Sequence, residues 1–237
     1  MKGEIVKEIE KMSGQHAAKG RQKEIAKKIA KMSGRYSQFV IFDDWVKCMA
    51  LSIQNSCCLF RDKIWQQREE DYIQTMNKYE LDERHKLVEL TGMLTNAFEE
   101  DMCDMLGDIY MESAAGNKNL GQFFTPFHLS YACAACALPE DISEDNLFHI
   151  NEPSVGGGGM IIAAAKVLKE RGLNYQRCMK VVGQDLDWRG VYMAYVQLSL
   201  LGIDAIVVQG NTLAEPYVEG YDRGRMLRTP MNMGVIL

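Results

Sequence analysis

The chain has 237 residues, of which 47% are hydrophobic and 25% charged, with a formal net charge of −5, enough for one sizeable core or two small ones. No apolar run approaches the ~20 residues of a membrane span, and Met1-Lys2-Gly3-Glu4 opens no signal peptide, so a cytoplasmic protein without a membrane partner is expected. Seven irregularly spaced cysteines, with Cys57 and Cys58 adjacent, fit reduced thiols better than a disulfide framework.

Residues 1–36 read as a basic helical arm, with ten Lys/Arg against four Asp/Glu. Residues 4–14 recur at 24–34 with a period of twenty, as a local duplication or a pair of helical arms. Such an arm either touches nucleic-acid phosphates or is a solvated lysine-rich face. Residues 37–120 read as a helical bundle, with apolar positions at three and four spacing over 42–58, 62–79, 81–98 and 100–111. Next comes Gly121-Gln122-Phe123-Phe124-Thr125-Pro126. His128, just beyond it, invites a general-base reading against a structural one, the latter being the stronger. Cys133-Ala134-Ala135-Cys136 has zinc-like spacing but no second pair, so no metal is expected.

Apolar residues through His149 and Ile150 run into Asn151-Glu152-Pro153-Ser154-Val155 and then four glycines, Gly156 to Gly159, before Ala163-Ala164-Ala165. That order reads as strand, tight turn and helix, with His149 in the core. A glycine turn at this junction lets a ligand approach the backbone and the free N–H groups of the helix. Glu152 would repel a pyrophosphate but attract the ammonium group of S-adenosylmethionine. Lys180-Val181-Val182-Gly183-Gln184-Asp185 is a second strand ending in a carboxylate, suited to ribose hydroxyls. A helix follows over 188–201, in which Trp188 and Tyr192 either stack on a cofactor's adenine or pack the helix. A third strand, 205–209, leads to Gly210-Asn211-Thr212-Leu213. Glu152, Asp185 and Asn211 thereby meet at the carboxyl edge of a parallel sheet.

In combination, Gly121–Pro126, Glu152–Gly159, Gly183-Gln184-Asp185 and Gly210–Leu213 resemble the ordered motifs of N6-adenine DNA methyltransferases, in particular the modification subunits of type I restriction systems and their small phage or plasmid cousins. The resemblance implies an S-adenosylmethionine-binding domain over 121–237, in an α/β fold with a truncated Rossmann-like class I methyltransferase sheet preceded by a helical bundle. By the same resemblance, Phe124, Thr125 and Pro126 close over the cofactor. Glu152, Pro153, Ser154, Gly156 and Gly158 line its methionine part, and Asp185 with Leu186 holds the ribose side. Asn211, Thr212 and Leu213 complete the edge, with Asn211 facing the adenine amine.

The chain departs from the family at the catalytic loop, for it contains no Asp/Asn-Pro-Pro-Tyr/Phe tetrapeptide. Methylating an exocyclic amine calls for two acceptors and an aromatic face against the flipped base. Glu215-Pro216-Tyr217 comes too soon after Asn211, and Thr229-Pro230 has the better spacing without an aromatic, leaving Thr229 and Pro230 as candidate catalytic residues beside Asn211. A degraded or repurposed loop is the other reading. About seven strands form the family sheet, and here Gly234-Val235-Ile236-Leu237 follows soon after what would be the fourth, as a final strand or an edge that another subunit covers. The expectation is therefore an enzyme that reads DNA through a partner subunit or as an oligomer, or else a non-catalytic cofactor-binding subunit of a mobile element or restriction-related system.

Overall fold

The computed structural model describes residues 20–114 and 124–235. A helix over 20–32 (α1) is followed by α2 (Gln38–Cys57), α3 (Lys63–Met76), α4 (Leu81–Glu100) and α5 (Met105–Ala114). Their starts are set by side-chain acceptors: Ser37 takes the Val40 N–H, Asp62 takes the Trp65 N–H, and Glu80 with Glu83 forms a capping box.

The α/β half continues with α6 (Phe127–Ala137), β1 (Phe148–Glu152), α7 (Gly159–Glu170), the short α8 (Tyr175–Cys178), β2 (Met179–Asp185), α9 (Trp188–Leu200), β3 (Asp204–Gln209) and β4 (Met226–Arg228). Strands β1, β2 and β3 are parallel and adjacent in that order, and β4 returns antiparallel along β3. This is the short α/β sheet preceded by helices that the sequence implies. The carboxyl ends of β1, β2 and β3 consequently share one edge, where α/β proteins hold ligands.

The two halves share one core. Trp45, Leu90, Ile109 and Tyr110 of the helices belong to the same buried cluster as Ile162, Met193, Tyr195 and Val207 of the α/β half. Polar ties reinforce the junction: Arg189 on α9 pairs with both oxygens of Asp43 on α2 at 2.6 Å, and Lys166 on α7 pairs with Asp101 at 2.6 Å. Gln197, fully buried on α9, donates to Asp104 Oδ1 (2.7 Å) and to the Gly157 carbonyl (2.6 Å), and accepts from the Leu106 N–H (2.9 Å).

Several expectations are corrected. The helix anticipated over 100–111 is two elements, because Glu100 ends α4 and the Asp104 carboxylate accepts the Gly107 N–H (2.9 Å), starting α5 afresh. Residues 20–36 are no free arm: Ile25 and Ile29 are fully buried, while Arg21, Lys28 and Arg35 pair with Glu100, Glu89 and Glu83 on α4. The first copy of the repeat, and Gly121 to Phe123, lie outside the described residues. His149 is exposed rather than core, since β1 lies at the end of the sheet order and its residues alternate between partly buried and exposed. Val235 is not in a strand, and its N–H bonds to the Pro230 carbonyl; the last two residues lie outside the described ones.

Candidate functional site

The turn between β1 and α7 is held from beneath and from the side. Gly156 and Gly158 adopt φ of 50° and 91°, which residues with a Cβ seldom tolerate. Asp185, at the end of β2, accepts the Gly156 N–H at 2.8 Å with one oxygen and the Asp187 N–H at 2.9 Å with the other. A Cβ on Gly156 would lie 3.2 Å from the ring of Phe124, which stands over the turn and meets Tyr110 edge-to-face at 5.4 Å. The neighbouring strand ends are laced in: Thr212 Oγ1 donates to the Pro153 carbonyl (2.7 Å), Gln209 Nε2 to the Leu186 carbonyl (2.8 Å), and the Asn211 side chain accepts the Leu213 N–H (3.0 Å).

These elements enclose a cavity of about 350 Å³, within the range of small-molecule sites. Of the residues anticipated from sequence, Phe124, Thr125, Ser154, Gly156 and Asp185 line it. Gly158 sits behind the turn, where a Cβ would come 3.4 Å from the Ala194 backbone. Pro126 is the residue that precedes α6. Glu152, Pro153, Leu186, Asn211, Thr212 and Leu213 sit along the adjoining strand edge outside the cavity wall, with Leu186 and Leu213 presenting exposed apolar side chains. Burial pushes the Glu152 carboxyl up, opposed by the Ser154 N–H that it accepts and helped by the charge of Asp185.

Two polar side chains of the wall escape the sequence reading. Asp104, from the segment before α5, is 4% exposed and faces Gly157 and Gly159, where added Cβ atoms would lie 3.0 Å from its oxygens. Burial holds its carboxyl above the ordinary carboxylate range, opposed by the hydrogen bonds from Gln197 and Gly107. Ser130 on α6 is 1% exposed, and its hydroxyl has no hydrogen-bond partner among the described residues. An Asp three residues before a glycine at a helix start carries only a capping signal in sequence, and Ser130 carries none.

The remaining candidates fall elsewhere. Thr229 and Pro230 are buried at the opposite edge of the sheet: Thr229 Oγ1 donates to the Ile203 carbonyl (2.7 Å) and accepts the Ala205 N–H (3.0 Å), at the amino end of β3. The antiparallel run of β4 carries them there, so their part as a loop beside Asn211 is withdrawn. Trp188 and Tyr192 stack on each other at 5.0 Å and pack against the core, lining a separate crevice with Lys47, Lys63 and Arg68; they pack the helix rather than the cavity. His128, Cys133 and Cys136 are exposed, and among the described residues no three His, Cys, Asp or Glu side chains gather to hold a metal.

A parallel sheet with a glycine turn after its first strand, a carboxylate ending its second and a polar cavity between them defines an α/β protein of the nucleotide- or cofactor-binding kind. The family model for N-6 DNA Methylase matches residues 101–235, over half of the chain, and the chain belongs to that family. Among solved structures, it is similar to the type I restriction-modification system methyltransferase subunit from Streptococcus thermophilus, with 17% identity and a TM-score of 0.45 over 81% of this chain and 43% of that one. The chain thus spans less than half the length of that subunit. Among the described residues, no helix is long and apolar enough to cross a membrane.

Proposed function

We propose that the chain binds S-adenosylmethionine in the 350 Å³ cavity and serves as the cofactor-holding part of an N6-adenine DNA methyltransferase. The observation that carries this reading is the charge of the walls. Among the described residues Asp185 and Asp104 line the cavity and no Lys or Arg does, a setting that repels phosphates and suits a ligand with hydroxyls and positive charge. The cradle fits such a ligand physically, since a Cβ at Gly156 or Gly157 would meet Phe124 or Asp104 where close approach is needed.

In this reading Asp185 accepts from the ribose hydroxyls with lone pairs left over from its two backbone bonds. Phe124, Thr125 and Pro126 cover the ligand, Ser154 and the turn of Gly156 and Gly158 flank its amino-acid end, and Leu186, Thr212 and Leu213 border its adenine. Glu152, which the sequence suggests as the partner of the ammonium group, lies outside the cavity wall and with Pro153 holds the end of β1, and Asn211 orients an acceptor at the edge. The cofactor supplies an electrophilic methyl group; the chain's part is to fix it and exclude water. DNA reading falls to a partner subunit or a second copy, in a soluble, cytoplasmic, restriction-related assembly.

A second reading, a cofactor-binding subunit that transfers nothing by itself, is favoured by one observation: Thr229 and Pro230 are buried at the far edge from Asn211. Titration calorimetry with S-adenosylmethionine, followed by transfer of labelled methyl to single- and double-stranded DNA, separates the two. Binding with transfer that Asp185→Ala abolishes supports the enzyme, and binding without transfer supports the subunit. Failure to bind refutes both.

A further inference from the structure

Asp104 is an acid buried where a helix would ordinarily collect an anion. Gly159 opens α7, and the first N–H groups of a helix favour phosphate or carboxylate ligands. The Asp104 carboxylate stands there instead, with its Oδ2 placed 3.0 Å from where a Gly159 Cβ would be. Both of its donors, Gln197 Nε2 at 2.7 Å and the Gly107 N–H at 2.9 Å, go to Oδ1, and among the described residues no hydrogen bond reaches Oδ2. The Ser130 hydroxyl, also without a partner, lines the same cavity. A carboxylate oxygen of a cavity-lining Asp104 and the buried Ser130 hydroxyl, each with spare acceptor capacity, call for a donor with several hydrogens and a positive charge.

We infer that Asp104 and Ser130 together receive the α-ammonium group of the ligand's amino-acid end, and that Asp104 makes the glycine turn refuse phosphates. The inference rests on the cofactor reading above and adds to it a residue from the helical half. Asp185 and Asp104 then mark the two ends of one ligand, ribose at the first and ammonium at the second. The charge also selects: it draws an amino-acid cation and repels a nucleotide whose 5′ substituent is anionic.

Calorimetry on the full chain with four probes tests this: S-adenosylmethionine, S-adenosylhomocysteine, methylthioadenosine and adenosine monophosphate. Asp104→Asn retains an acceptor for Gln197 and Gly107 and removes the charge. The variant is expected to weaken by about tenfold or more for the two probes that carry an ammonium, as loss of a charge-assisted bond implies. Methylthioadenosine should bind it unchanged, and adenosine monophosphate should bind it more tightly than the parent. Ser130→Ala should repeat the ammonium-specific loss to a smaller degree. An equal loss for all probes would mean a merely structural role and overturn the inference, as would undiminished S-adenosylmethionine binding. Loss confined to S-adenosylmethionine would assign the charge to the sulfonium and overturn the ammonium assignment. If the parent chain binds neither methylthioadenosine nor S-adenosylmethionine, the cofactor reading itself fails.

Discussion

Replacing Gln197 by Leu removes, at nearly constant volume, the side chain that joins three segments. Three hydrogen bonds disappear, to Asp104, to the Gly157 carbonyl and from the Leu106 N–H, all in a fully buried setting. A buried N–H left without an acceptor costs roughly 1–3 kcal/mol, a bond to a charged group is worth about 1.5–3, and a neutral one about 1. The leucine returns part of that as apolar burial, so the net loss should be about 3–5 kcal/mol, a large share of the ~5–15 kcal/mol that stabilises an ordinary domain. Urea denaturation followed by both circular dichroism and tryptophan fluorescence reads it. With a slope of roughly 2–3 kcal/mol per M, the midpoint should fall by about 1–2.5 M while the slope is retained. A loss under about 1 kcal/mol would refute the idea that Gln197 is a principal polar tie between the halves.

Asp104→Asn should flatten the dependence of stability on pH. A carboxyl whose folded pKa lies above its unfolded value keeps its proton longer in the native state, so its contribution falls as pH rises through that interval. The parent should therefore gain stability relative to the variant on acidification, and parallel curves in pH-dependent urea melts would count against the shift. Gly158→Val should abolish S-adenosylmethionine uptake with a native far-ultraviolet spectrum, because a φ of 91° costs a residue with a Cβ about 1–2 kcal/mol and the turn must distort; unchanged affinity in a titration would dismiss the site. Thr229→Val should lose about 1–3 kcal/mol by stranding the Ala205 N–H, with ligand affinity intact; impaired binding would reopen a part for Thr229 in the site.

The strand, turn and helix around Gly156 to Gly159 were legible because glycine, proline and apolar alternation are local signals, and so were the parallel β1 to β3 with their polar ends. The direction of β4 was not, since Met226-Leu227-Arg228 carries no mark of its partner strand; Thr229 and Pro230 were misplaced for that reason. Asp104 stayed hidden because its part arises from distant packing: α5 docks on α9 through Gln197, and only then does an N-terminal helix cap become the wall of a cavity some fifty residues further along the chain. His149 failed for a related cause, as a strand's depth depends on which neighbours flank it.

The cavity draws one wall from each half of the molecule, Asp104 from the helices and Asp185 from the sheet. A ligand that needs both can bind only while the halves are docked, so its binding free energy adds to their cohesion, by about 2.7 kcal/mol at a hundredfold excess over its dissociation constant. Occupancy then acts as a latch on the junction: amide exchange along α9 should slow when the ligand is present.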